Sequence, residues 1–438
     1  MTGQGVDERT DSESSPPETP PRRRSVASRV VIDTRPLRHP AFRRLWLSGI
    51  VTILGAQLTT VAVPKQIYDL TGSSAYVGLA SLFGLVPLVV FGLWGGAVAD
   101  AVDRRRLMLF TSVGIAVASI ALWAQAAVGN RSVWVIFGLL ALQQAFAAVN
   151  MPARSASVPR LVPKELLPAA NALNSTVMQL GAVVGPLLAG VLIPVLGLPV
   201  LYLLDAVALS AVLWAVLRMP PLPPLGETPS RAGLRDVLAG FRYLATQGVL
   251  LASFLADIIA MVFGSPRALF PEMAQNLFGD PPGGGNALGW LYGAIPLGAL
   301  ACGLVSGWVS RIGRHGVGLT VAVCAWGVAM IGFGLAPTLP LAVICLALAG
   351  AADFVSMVFR GSMLQEAATD EMRGRMQGVF IVVVAGGPRL ADVLHGAAGS
   401  AVGPSAAAAG GGVLVVVLML LAAACLPAFL RYRAATAD

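Results

Sequence analysis

Apolar runs of about 20 residues, the length a helix needs to cross ~30 Å of hydrocarbon, constrain this chain more than any other feature. Twelve occur, at roughly 45–64, 76–99, 107–128, 132–153, 170–195, 197–218, 247–270, 287–310, 317–337, 339–361, 376–400 and 405–428. Inside lipid each run must satisfy its own backbone, so each is expected as a helix. Composition agrees: 56% of the 438 residues are hydrophobic and 12% charged, against about 25% charged in soluble domains. The expected fold class is an all-α polytopic membrane protein with 12 transmembrane helices.

Polar sequence divides the runs. Residues 1–40 hold Ser, Pro, Glu and the Arg22-Arg23-Arg24 run, and are expected as a disordered cytoplasmic tail without a signal-peptide pattern. A first six-helix half covers 41–219, and a cytoplasmic linker covers 220–246, in which 234–245 are patterned as a short surface helix. A second half covers 247–430 and a cytoplasmic tail 431–438. With the N-terminus inside, Lys65, Arg131 and Arg267 are the only basic residues of the outside loops, and Arg389 is mid-span. The other 26 of the 30 Lys and Arg fall inside. This positive-inside asymmetry predicts a multi-pass protein of the cell membrane with both termini cytoplasmic. It also accounts for the net charge of +8 without a nucleic acid partner.

The sequence argues against catalysis and ATP-driven pumping. Lys65 and Lys164 are the only lysines, each preceded by proline, so there is no Gly-Lys-Ser/Thr phosphate loop. His-Glu-x-x-His is absent, and Cys302, Cys324, Cys345 and Cys425 all lie in apolar runs without metal-type spacing. No cofactor and no metal are expected. Internal duplication is visible instead. A slide of 206 residues lays Arg154 on Arg360, Glu165 on Glu371, Asn171 on Gln377 and Gly181 on Gly387 without a gap.

Between the second and third runs, Gly95 to Arg106 packs small residues, two acids and three arginines into what is expected to be a tight turn at a membrane face. With Gly96, Asp100, Arg104 and Arg105 in its fixed positions, it resembles the G-x-x-x-D-x-x-x-R-[RK] signature loop of the major facilitator superfamily. A degraded copy, Gly307 to Arg314, has Arg311 in place of the acid. The resemblance implies the major facilitator fold, with two pseudo-symmetric six-helix halves. It also implies a gating role for Asp100, facing the start of span eleven near Gly374 to Gly378 and closing the cytoplasmic side. The other reading is that Asp100 pairs with Arg104 or Arg105 in its own loop.

Gly181, Gly185, Pro186 and Gly190 in span five resemble the G-x-x-x-G-P-x-x-G-G motif of antiporters of that superfamily, with Ala189 replacing one glycine. Pro186 bends the helix and the small residues make a flat seam, which ordinary helix packing would also use. Thr71 to Ser74, Arg154 to Val162 with Asn171-Ala172-Leu173, Asp353 to Arg360, and Arg373 to Met376 resemble bacterial siderophore exporters of the enterobactin-exporter type. That resemblance runs over nearly the whole chain beyond the tail.

Polar residues inside the runs are the candidate site. Gln57 stands where many antiporters carry an acid, and Gln144 lacks the preceding arginine of the drug antiporters, so the first half is expected to hold no protonatable core group. Gln57, Gln143, Gln144 and Gln179 either line a polar cavity or hydrogen-bond between helices. In the second half Asp257, Asp353, Arg389, Asp392 and His395 are the proton-coupling candidates. Arg389, Asp392 and His395 share one helix face. A relay in which Asp353 or Asp392 releases a proton as substrate binds stands beside a static Arg389–Asp392 pair. His395 alone reads as a satisfied polar side chain, and Asp205 as structural and nearer the outer face. The reading is a proton-coupled exporter of a small organic molecule (siderophore, secondary metabolite or drug), a monomer in the bilayer with protons as partners. An importer or facilitator of the same fold, and a non-transporting scaffold or sensor, are the alternatives.

Overall fold

In the computed structural model the described residues are 33–224, 242–244, 246–367 and 370–432; within them, the side chains at 93, 94, 96, 97, 99, 100, 310, 367, 370–382, 384, 385 and 428 are not described. The expected surface helix at 234–245 therefore lies mostly outside the described residues. The first helices are α1 (Pro40–Thr71), α2 (Ser74–Ala101), α3 (Arg104–Ala127) and α4 (Val133–Ser157). A continuous helix, Leu167–Leu217, follows. Gly197 breaks it with φ 75° and ψ 165°, a conformation open to glycine, and divides it into α5 (167–196) and α6 (198–217). The second half comprises α7 (Gly248–Phe263), α8 (Asn286–Leu304), α9 (His315–Gly334), α10 (Leu339–Ala367), α11 (Asp370–Val402) and α12 (Pro404–Cys425).

Among the described residues ten helices are long and apolar enough to cross a bilayer. One, Lys164–Leu217, is 54 residues long and supplies two crossings about its Gly197 break. The 33-residue α11 is long enough for a further one. The turns sort to two faces. The start of α1, the ends of α6 and α12 and the α2–α3 and α4–α5 turns share a terminal face; residues 72–73, 128–132, 197, 264–285, 335–338 and 403 share the distal face.

Three departures from the expected boundaries have physical causes. The expected turn at Gly95 to Arg106 shrinks to Val102 and Asp103, because α2 runs on to Ala101. Asp103 caps α3, its carboxylate accepting from the Arg105 and Arg106 amides at 2.9 and 3.3 Å. Lys65 lies in no loop: α1 continues past it, and it is 2% exposed and paired with Asp69 one turn on. The seventh span is interrupted. Its helix stops at Phe263, and a 3-10 turn at Arg267–Leu269 and a short helix, Phe270–Asn276, complete it.

The arginines of the signature stretch work as staples. Arg105 donates from Nε to the Val216 carbonyl at 3.1 Å and from Nη2 to that of Leu217 at 2.6 Å. Arg104 donates to the Ala156 carbonyl at 3.1 Å. These carbonyls end α6 and α4, where the last turn has no intrahelical donor and carries the negative end of the helix dipole. Within the first half α1 packs on α5, and α4 on α2 and α3; within the second, α9 packs on α10 and α12, and α8 on α10. The duplication is visible in packing too. Arg360 of α10 reaches α7, and its copy Arg154 of α4 reaches α1, where a Cβ on Gly49 would stand 2.5 Å from its guanidinium.

A cavity between the two halves

The halves meet through α2 against α11 and α5 against α8, with smaller contacts from α1 and α2 to the 267–276 segment. Glycines allow backbone to touch backbone there. A Cβ on Gly289 would lie 2.7 Å from the Pro186 carbonyl oxygen, one on Gly190 2.8 Å from that of Gly285, and one on Gly396 3.1 Å from the Gly78 Cα. Polar contacts join the same distal level. Ser73 and Ser400 share a hydroxyl hydrogen bond at 3.2 Å, Ser74 donates to Glu272 of the second half, and Asn276 donates to the Tyr68 hydroxyl at 3.0 Å.

Beneath this seal lies a cavity of about 550 Å³. Its first-half wall carries Thr52, Thr59, Thr60, Ser81, Gln143, Gln144 and Asp205, and its second-half wall Arg267, Tyr292, Arg389 and Asp392. Hydrogen bonds cross it: Ser81 donates to Asp392 at 2.7 Å, and Arg389 to the Gln144 side-chain oxygen at 3.5 Å. The wall is thus rich in hydroxyls and amides around one acid on one side and carries most of the charge on the other, suited to an organic molecule bearing both apolar surface and hydrogen-bonding groups.

The expected site residues fall into separate groups. Gln143, Gln144, Arg389 and Asp392 converge on the cavity, while Gln57 packs against Gly185 and Gln179 is exposed away from it. Asp257 and Asp353 form a second cluster about Arg360. Asp257, 2% exposed on α7, is ion-paired with that guanidinium, and Asp353 lies 3.4 Å from it. His395 faces neither: Nδ1 lies 3.0 Å from the Ala391 carbonyl of its own helix, and Gly411 of α12 packs on the ring. Gly181 and Gly185 receive Ile53 and Gln57 of α1, whereas Pro186 and Gly190 face α8. Asp100 and Gly96 sit on the last turns of α2, their contacts outside the described residues.

Two cavity residues were not anticipated. Arg267, expected in an outside loop, lines the cavity because the chain turns back at Gly264 to Leu269. Asp205, expected as structural and nearer the outer face, instead brings an acid to the cavity from the first half: it is 2% exposed, lines the cavity, and accepts from Thr59 at 2.8 Å and Ser119 at 3.0 Å. An acid in mid-run was a signal for it; Arg267 offered none. Arg360 was visible as part of a motif and as the repeat partner of Arg154, without a site role.

Comparison with known proteins agrees with this architecture. A family described as transmembrane secretion effector matches residues 33–436. Enterobactin exporters of Shigella boydii serotype 18 and Escherichia coli O81 are each 32% identical over 368 residues, covering 84% of this chain and 87% of theirs. Among solved structures, a nucleoside transporter, NupG, superposes with a TM-score of 0.68 at 14% identity, covering 90% of this chain and 100% of that one. A bacterial homolog of the human lysosomal transporter Spinster, inward-facing and unoccupied, gives 0.66 at 16% identity, covering 91% and 97%.

Proposed function

The chain belongs to the transmembrane secretion effector family of major facilitator transporters, and from that premise we propose that it is a proton-coupled exporter of a small organic molecule working by alternating access. It is a multi-pass membrane transporter and not an enzyme. The observation that carries the proposal is the cavity itself: it lies between the halves, and its distal seal is built of contacts between halves. Rocking of one half on the other breaks such a seal and leaves each half's own packing intact. With basic residues concentrated on the terminal face, that face is cytoplasmic and the seal faces outside. This is the state in which an exporter loads.

The substrate class follows from the relatives and the wall. Siderophores, other secreted metabolites and drugs combine ring or acyl surface with hydroxyl, amide and anionic groups, which Gln143, Gln144, Tyr292, Arg267 and Arg389 are equipped to meet. Asp392 and Arg389 each hydrogen-bond across to the first half, so a proton or a ligand that breaks those bonds loosens the halves. Asp257 and Asp353, sharing Arg360, are the second proton-coupling group. Asp100, at the end of α2, is proposed to meet the start of α11 when the terminal face closes. The protein acts as a monomer in the bilayer.

The test compares small-molecule pools inside and outside cells lacking the protein, complemented with wild type or Asp100→Asn. Export predicts a compound retained inside and missing outside, restored by wild type and reduced at least several-fold with Asp100→Asn. A compound left unconsumed outside would establish import instead, and full rescue by Asp100→Asn would end the gating role.

A further inference from the structure

Asp205 on α6 is the acid that this scheme leaves unused. Thr59 of α1 and Ser119 of α3 both donate to its Oδ2, and Gln143 of α4 donates to the same Ser119 oxygen at 2.9 Å. The helices packed around it bring hydroxyls and an amide: Thr52 and Thr59 from α1, Ser119 from α3, Gln143 from α4. The charged groups that face it, Arg267, Arg389 and Asp392, stand on the opposite wall of the cavity.

This setting differs from that of the acids paired with cations and from that of Asp280, which backbone amides of Ala287 and Leu288 hold. Asp257 and Asp353 share the Arg360 guanidinium, and Asp69 holds Lys65; Asp392 accepts from Ser81 but has Arg389 beside it on the same wall. A carboxylate beside a fixed cation takes a proton only by breaking the pair and stranding the cation, so its protonation is tied to a rearrangement. Hydroxyl groups impose no such condition. Each can donate to an ionised carboxylate or, after rotation, accept from a protonated one, so the same cradle serves both forms without moving a side chain. Exposure to the cavity supplies the route by which the proton arrives and leaves.

We propose that Asp205, cradled by Thr59 and Ser119, is the proton-exchanging group of the first half. A proton passes from cavity water to a carboxylate oxygen and returns to cavity water when the cavity opens to the other side. The assignment deepens the export proposal and rests on it for what the proton drives, not for the exchange itself. Through Ser119, Gln143 and the adjoining Gln144, the acid is linked along α4 to Arg389 of the other half.

The test needs no substrate. Full-length protein in proteoliposomes is titrated by infrared difference spectroscopy, which reads the carbonyl band of protonated carboxyl groups. Wild type is expected to show a band that responds to pH, absent in Asp205→Asn and retained in Asp392→Asn. Asp205→Glu should move the band, and Ser119→Ala its titration midpoint, which keeps the proposal testable if Asp205→Asn fails to fold. Unchanged titrating bands in Asp205→Asn overturn the assignment, as does an Asp205 band that ignores pH. Metabolite efflux from loaded vesicles reads the export proposal separately: a titrating Asp205 band without efflux upholds the acid and removes the exporter.

Discussion

A methyl group placed at Gly78 or Gly396 should force the distal seal open while leaving each half folded. On α2, a Cβ at Gly78 would overlap the Asp392 carbonyl and stand 3.1 Å from the Val393 Cα; on α11, one at Gly396 would lie 3.1 Å from the Gly78 Cα. The obstacles are backbone atoms of the other half, which cannot rotate aside, so the two helices must separate. Overpacking of this kind costs ~1–3 kcal/mol. In the proposed cycle only the sealed state bears it, since α2 and α11 part when the distal side opens. The better helix propensity of alanine applies in both states and cancels. A differential of that size moves the sealed-to-open ratio by roughly 5- to 150-fold.

Spin labels at Trp134→Cys and Leu335→Cys, exposed on the distal ends of opposite halves, report the change as a distance distribution once the four native cysteines are replaced. Gly78→Ala and Gly396→Ala should raise the long-distance population. The control is Gly298→Ala, whose Cβ would lie 2.7 Å from the Ala347 Cα within the second half. It should lower thermal stability and leave the distance alone. Wild-type distributions in both seal variants, or an equal lengthening in Gly298→Ala, would refute the argument that the seal sets the equilibrium.

Further outcomes follow from individual contacts. Ser74→Ala removes a hydroxyl that is 0% exposed and donates across the halves to Glu272; hydrogen bonds to charged groups contribute ~1.5–3 kcal/mol, so the same labels should report opening. Arg360→Met leaves Asp257 buried without its cation, a loss of ~3–5 kcal/mol, whereas Arg360→Met with Asp257→Leu should recover most of the thermal stability. At the terminal face, burial and then the hydrogen bond to Glu366 push the Tyr432 hydroxyl up to about 12 from an ordinary 10.0. The folded state favours the protonated phenol, so this tether contributes fully below pH 10 and is lost as pH rises through about 12. Tyr432→Phe should abolish that alkaline loss in pH-dependent unfolding.

The spans were legible because hydrocarbon imposes a requirement that no tertiary contact can waive, and their polar residues were legible as a site because each must face a cavity or a partner. That logic named Gln143 and Gln144 in one group and Arg389 and Asp392 in another, which the fold brings to one cavity; it also named Gln57, Gln179 and His395, which do not line it. It failed where local composition and three-dimensional placement disagree. Lys65 reads as a loop residue, yet Asp69 one turn away neutralises it and the helix continues. Arg267 lies in a segment that only the assembled fold carries inward. Asp205 was placed by its distance from the end of a run, whereas its environment comes from Thr59 and Ser119, 146 and 86 residues away. No local window contains that cradle.

The glycine seam of α5 shows how one sequence pattern divides between two jobs. Gly181 and Gly185 take Ile53 and Gln57 of α1 into the space a side chain would occupy, which fixes α5 within its own half. The next residue, Pro186, and Gly190 one turn on meet Gly289 of α8 and Gly285 just before it, in the half that moves in the proposed cycle. At the start of the second contact, Pro186 cannot donate its backbone hydrogen bond, so the helix is softest where the fixed face gives way to the sliding one. Bulk at Gly185 should therefore weaken the first half, and bulk at Gly190 should bias the cavity's access without unfolding it. A pattern recognised as a single motif acts through two different neighbours, and it is the second of them that ties α5 to transport.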